Sequence, residues 1–396
     1  MTGTMTRLVT ALNRIAALSL ACTASALPSA AVPQPAAAPQ AGQSIPAAPG
    51  MGAMTAGLPG VESPMLGRIQ IFEDWAVGCD NRLSCSAVSL VPEGAGTAYS
   101  VLVSIQRAGG STGEATLRLI GADHLSGQID IVVDNKSLTQ ATANKDMIEL
   151  TGPLALDIMR ALGSSYAFEV RERPKKRKSA PVLIDAPSLR GLPAALRYID
   201  EQQGRVGSKG ALAALGDGPA DLAKPLPPDS DLAPAAPAVP DSPPPIFTAQ
   251  EQIAARQLAA CEGQVDAGPP LETHRLDPQH ALILLPCDSG AYNVSMVPLL
   301  ATGGDGQWQF SIARFDHVPG FTGDPGTPPM LVNARWNPAR GELSSFAKGR
   351  GLGDCGTAET YRWDGALFRL TEARSMPVCR GAWEWPVLYS AVNAKG

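Results

Sequence analysis

Aromatic side chains are scarce, 5% of 396 residues, and charged ones make up only 17%. No Cys-x-x-Cys, H-E-x-x-H or P-loop occurs, and no apolar run reaches the length of about 20 residues that spans a bilayer. The thin charge, with a net of −5, excludes a basic nucleic-acid binder and a coiled coil. The short apolar runs exclude a multi-pass membrane protein. The missing motifs leave no recognisable zinc-hydrolytic or nucleotide-binding constellation. What abounds is glycine (40) and proline (36), 76 of 396 residues or 19%, against a usual share near ~12%. The excess is clustered, which points to linkers rather than to one unusual fold.

The N-terminus sets the compartment. Arg7 and Arg14, with no acid, precede the apolar run Ile15 to Cys22, and Ala24-Ser25-Ala26 supplies a small-x-small cleavage site. This is the layout of a secretory signal peptide over residues 1–26, so the protein is expected in the periplasm. Lipid anchoring at Cys22 is the alternative, though Ser19 stands where a lipoprotein signal wants leucine. Cleavage removes two positive charges and takes the net from −5 to −7.

Without Cys22 six cysteines remain: Cys79, Cys85, Cys261, Cys287, Cys355 and Cys379. An even set in an exported chain is read as disulfides. A proline-rich stretch isolates Cys79 with Cys85, and the other four can pair in three ways. Sequential pairing, Cys261 with Cys287 and Cys355 with Cys379, is the expected one. Loop closure would contribute at most about 2.4 kcal/mol for the first bridge and roughly 3.5 for each of the others. A metal site is not expected, because His124, His274, His280 and His317 are scattered. No cofactor is indicated. A redox role lacks the Cys-x-x-Cys that poises a low-pKa thiolate.

Residues 27–67 carry eight prolines and almost no charge, too little apolar surface to order themselves, and act as a tether. Ten prolines between Ala213 and Pro245 mark a second linker over 209–246. Two globular pieces remain, 68–208 and 247–390, followed by a tail at 391–396. In the first, Trp75, Val77 and Cys79 share one face of an extended run that turns at Asp80-Asn81 and returns through Cys85. Val101, Val103 and Ile105 alternate, as do Ile129, Ile131 and Val133, and Tyr166, Phe168 and Val170 suggest another strand. Leu154, Ile158 and Leu162 give a short helix stopping at Gly163, and Leu192, Ala195, Leu196 and Ile199 one ending near Gly204. In the second piece Thr248 and Glu251 form a capping box. Strand-like runs follow, with Asp364-Gly365 as a hairpin turn. Without regular βα alternation, the expected class is mainly β, a β-rich α+β arrangement of two small disulfide-stapled domains.

Gly351-Leu352-Gly353-Asp354-Cys355-Gly356 matches G-x-G-x-x-G, but a dinucleotide site needs those glycines between a strand and a helix. Here a hairpin follows, so the segment is expected to be a tight loop placing Cys355. Lys348, Arg350 and Asp354 in this loop are the candidate binding residues. A guanidinium there would grip a carboxylate or phosphate, unless Arg350 and Asp354 simply pair across the loop. The basic run Arg171, Arg173, Lys175, Lys176, Arg177 and Lys178 is read as a solvated strand edge rather than a polyanion patch. Trp383 and Trp385 serve core closure or, alternatively, a sugar-stacking platform. Asp316 and His317 are adjacent on an extended run, so their side chains diverge and form no dyad.

Two strings carry a family resemblance. One is Phe72-Glu73-Asp74-Trp75-Ala76-Val77-Gly78-Cys79-Asp80-Asn81, followed by Cys85. The other runs from Leu343 through Phe346, Lys348, Arg350, Asp354 and Cys355 to Gly356, then Trp363-Asp364-Gly365 and Cys379-Arg380-Gly381. Together they resemble an uncharacterised proteobacterial family of exported proteins, domain of unknown function 1176, whose N-terminal half is similar to the invasion-associated locus B family. The resemblance covers about residues 68–390 and implies a periplasmic β-rich protein with no established activity. The expectation is a non-enzymatic envelope module that binds a partner protein or glycan. A hydrolase of cell-wall or polysaccharide substrates, using Asp354 or Asp364, is the alternative.

Overall fold

The computed structural model describes residues 61–95, 101–121, 125–174, 180–228, 231–232, 243–261, 271–320, 322 and 327–393. The signal peptide, Cys22, most of the tether, His124 and the lysines of the basic run lie outside these residues. Alternating apolar residues and tight turns make the described chain mostly strand. Its first half comprises β1 (Ile69–Phe72), β2 (Trp75–Cys79), β3 (Cys85–Ser89), β4 (Val101–Arg107), β5 (Ala115–Gly121), β6 (Gln128–Val133), β7 (Lys136–Thr142), β8 (Met147–Thr151), α1 (Gly152–Gly163), β9 (Phe168–Arg173), β10 (Val182–Asp185) and α2 (Leu192–Gln203). The remainder is β11 (Asp231–Leu232), α3 (Ala249–Ala259), β12 (Glu272–Arg275), β13 (His280–Ser289), β14 (Val294–Thr302), β15 (Gln309–Ile312), β16 (Leu331–Val332), β17 (Arg335–Asn337), β18 (Glu342–Lys348), β19 (Gly356–Trp363), β20 (Phe368–Met376), β21 (Val387–Ser390) and β22 (Val392–Asn393).

These strands build four antiparallel sheets, ordered β1-β2-β3-β4-β5-β8, β10-β9-β6-β7, β12-β13-β14-β15 with β16 beside β14, and β17-β18-β19-β20-β21. Asp231–Leu232, from the proline-rich stretch, pairs in parallel with β22. The mainly β expectation therefore holds. So does the sequential sulfur pairing: Cys79–Cys85, Cys261–Cys287 and Cys355–Cys379 are bonded.

The first sheet is covered on both faces. Trp75, Val77, Val103, Ile105, Leu117 and Leu119 pack on the second sheet and on α1 and α2. The alternate residues Ala76, Val88 and Leu102 share a second cluster with Met376, Ala382 and Trp385. Period two thus serves two cores at once, and the second of them joins the two halves of the chain.

Several local expectations need correction. α1 does stop at Gly163, but its capping residue is Ser164, whose φ is −115°, and not that glycine. Its lack of a side chain instead makes room for α2, because a Cβ there would lie 2.7 Å from Leu196 Cδ1. Tyr166 is 80% exposed and precedes β9 rather than starting it. Arg171 and Arg173 do not lie on a sheet edge. β10 returns to cover β9, and the two arginines pair with Glu169 and Asp130. The Ala-rich start of the second linker is packed, since Ala211 and Leu212 are buried. Three N–H groups, of Leu212, Ala213 and Ala214, donate to the Asp200 carboxylate at 2.7–2.9 Å. The Thr248 capping box and the left-handed Gly204 cap occur as expected.

Candidate functional site

The hairpin β18–β19 brings the predicted loop together. Gly349 N–H bonds to the Cys355 carbonyl and Gly353 N–H to that of Arg350, so residues 349–355 close on themselves. Gly356 has a φ of +138°, and a Cβ there would lie 1.9 Å from the Ala347 carbonyl oxygen. Only glycine fits that approach. The G-x-G-x-x-G run thus joins two antiparallel strands, with no helix N-terminus to receive a pyrophosphate.

Arg350 and Asp354 pair within the loop. Nε donates to Oδ1 at 2.7 Å and Nη2 to Oδ2, while Gly381 N–H donates to the same Oδ2 at 2.6 Å. The hydrogen bonds from Arg350 hold the buried Asp354 carboxyl below its ordinary range, against the opposing effect of burial. The carboxylate thereby ties the 350s loop to the segment after Cys379, parallel to the disulfide. With both carboxylate oxygens facing it, Arg350 is a structural cation rather than an open anion grip. Lys348 separates from the other two candidates: its Nζ lies 5.9 Å from the Phe346 ring centroid.

Arg380 is the residue the sequence reasoning did not single out. Its Nε donates to the Val91 carbonyl and Nη1 to that of Glu73, both at 2.7 Å, and Nη2 pairs with Asp74. Val91 N–H returns a bond to the Arg380 carbonyl. Beside this clamp is a cleft of about 720 Å³, lined by residues 91–94 from the first half and by Arg350, Leu352, Asp354, Cys379, Gly381 and Trp383 from the second. Leu352 is 68% and Trp383 42% exposed on its walls. The tryptophan pair expected to share a face is split, because residues 383–386 are not a strand. Trp385 enters the core, stacked on Phe346 at 5.2 Å.

Away from the cleft, Asp316 accepts Leu370 N–H at 2.8 Å, and Glu359 accepts Gly320 N–H at 2.8 Å and Tyr361 O–H at 3.3 Å. Burial pushes Asp316 up to about 6 and Glu359 up to about 7, and pulls His317 down to about 4. The His317 ring has no partner at Nε2 among the described residues, and Asp316 turns to Leu370 rather than to that ring. Asp364 accepts Ala366 and Leu367 N–H groups and pairs with Arg369, locking the β19–β20 turn. Among the described residues no group of three His, Cys, Asp or Glu side chains is placed to hold a metal ion.

Comparison with known proteins places the chain among uncharacterised relatives. A family model described as protein of unknown function (DUF1176) matches residues 69–392. The uncharacterized protein YpfG of Escherichia coli (strain K12) is 27% identical over 339 residues, which is 80% of this chain and 91% of that protein. The crystal structure of invasion associated protein B from Bartonella henselae aligns with 34% of this chain and 96% of its own, at 12% identity and a TM-score of 0.26.

Proposed function

We propose, for a chain that belongs to the DUF1176 family of proteins of unknown function, that it is an exported periplasmic module binding an envelope protein or glycan in the cleft beside Arg380, without catalysis. The observation that carries the reading is the contrast between the cleft's walls and its floor. The walls present exposed Leu352 and Trp383. The floor is immobilised by the Cys355–Cys379 bridge, the Arg350–Asp354 pair and the Arg380 clamp. A rigid concave surface with an exposed indole suits recognition at low ordering cost. Three disulfides fit an oxidising compartment, and among the described residues no helix is long and apolar enough to cross a membrane. The carboxylates a hydrolase would use, Asp354 and Asp364, are both engaged by internal hydrogen bonds and an arginine each, which does not favour general-acid chemistry.

Capture with crosslinking from envelope extracts, together with binding to a glycan panel, tests the proposal. Wild type should retain a specific partner that Trp383→Ala and Leu352→Ala lose while melting at an unchanged temperature. No specific partner for wild type, or equal capture by the variants, would overturn it.

A further inference from the structure

The charged side chains lining the cleft are answered from within the protein. Arg350 and Asp354 bond to each other. Arg380 holds Asp74 and the carbonyls of Val91 and Glu73, and the exposed Glu93 carboxylate lies 3.9 Å from its Nη1. What the walls still offer is apolar: Pro92 from the first half, Leu352 and Trp383 from the second. Sugar hydroxyls need several polar groups to fix them, and those groups are already engaged here. The surface suits an uncharged, apolar chain instead.

The protein carries such a segment a short way along its own chain. Residues 27–61 contain no Asp, Glu, Lys, Arg or His. Within them Ile45-Pro46-Ala47-Ala48-Pro49-Gly50 is a P-x-x-P segment, whose prolines recur on one edge of a polyproline II helix. Aromatic-lined grooves take this form because it is extended before it binds. The segment lies outside the described residues, but its reach follows from where the chain is first anchored. Gly67 N–H bonds to the Leu388 carbonyl at 2.8 Å. From Gly67, β1 leads to Glu73, which Arg380 holds; at strand spacing this path is at most about 20 Å. As polyproline II the chain from Pro49 to Gly67 covers up to about 55 Å. The segment therefore reaches the cleft with slack, at an effective concentration on the order of millimolar. We propose that Ile45–Gly50 of the same chain occupies the cleft, with Pro46 and Pro49 against Trp383 and Leu352. A partner must displace this segment to bind, and an uncharged proline-rich peptide is the chemistry that competes with it.

The test uses the full chain and a dye-labelled synthetic peptide of residues 44–51, read by fluorescence anisotropy. Wild type should bind the peptide weakly, since its own segment fills the cleft. The double variant Pro46→Ala, Pro49→Ala should bind it at least about tenfold more tightly, because the competing copy is weakened. Adding Trp383→Ala to the double variant should remove that binding at an unchanged melting temperature. If that protein does not fold, Leu352→Ala takes its place. Equal affinity of wild type and double variant, no binding to either at about 1 mM peptide, or binding that survives the cleft substitution would overturn the proposal. Sedimentation decides whose segment it is: a wild-type dimer that the double variant loses would overturn the assignment to the same chain. The inference rests on the cleft being the partner site, and envelope capture by the double variant tells the two failures apart. Capture without peptide binding overturns the tether alone. Peptide binding without capture overturns the partner reading and leaves the tether standing.

Discussion

Two buried acids and one buried imidazole give the C-terminal half a pH response. The folded-state values of Asp316 and Glu359, about 6 and about 7, are raised. The stability they add is therefore complete at low pH and is lost as pH climbs through those values. His317, lowered to about 4, works the other way, since its contribution is complete above its unfolded value and is lost on acidification. Between about pH 4.5 and 6 the folded chain holds between one and two extra protons on the acids and lacks most of one on the histidine. Stability from these groups should then fall by about 1 kcal/mol per pH unit. Urea unfolding across this range checks it, and Glu359→Gln should flatten that component. An unchanged slope in the variant would show that Glu359 titrates normally. Nothing in the local sequence announces these shifts. Asp316 and Glu359 are ordinary residues in strand-like runs, and only packing around Tyr361 removes them from water.

Hairpins and helices are the most legible elements, and glycine illustrates where legibility stops. Gly204 and the Asp364-Gly365 turn are readable because capping and turn chemistry act within a few residues. The role of Gly163 is hidden from local reading because it depends on Leu196 in another helix. Gly356 offers a direct test of the candidate loop. Gly356→Ala places a side chain against the Ala347 carbonyl at a positive φ, and should cost about 3 kcal/mol or more. Gly304 is the control: an added Cβ there would meet nothing within 4 Å, and its φ is not positive. Gly304→Ala should therefore change stability by less than about 0.5 kcal/mol. Equal, small effects in denaturant melts would mean that the hairpin tolerates a different register. Arg171 and Arg173 teach the same limit: their charge suggests an edge, but whether a strand lies at an edge is decided by the element that returns beside it.

Across the molecule, exposure ranks the sulfur bridges. Cys79 and Cys85 are 7% and 2% exposed and Cys355 2%, whereas Cys379 is exposed and lines the cleft. Thiolate attack requires access to a sulfur, so mild reductant should open Cys355–Cys379 before Cys79–Cys85. Differential alkylation with mass spectrometry reads the order, and the reverse order would contradict the packing around the first sheet. Opening that bridge should loosen residues 349–355 and 379–383 while the first sheet stays folded.

Alternating side chains, turn residues and the even set of six cysteines were sufficient to define a β-rich chain, because each acts between near neighbours along the backbone. Three-dimensional packing alone settled which tryptophan meets solvent and how Arg380 reaches Asp74 across 306 positions. Contacts of that kind are set by how sheets and helices stack, and stacking leaves no periodic trace in the order of residues.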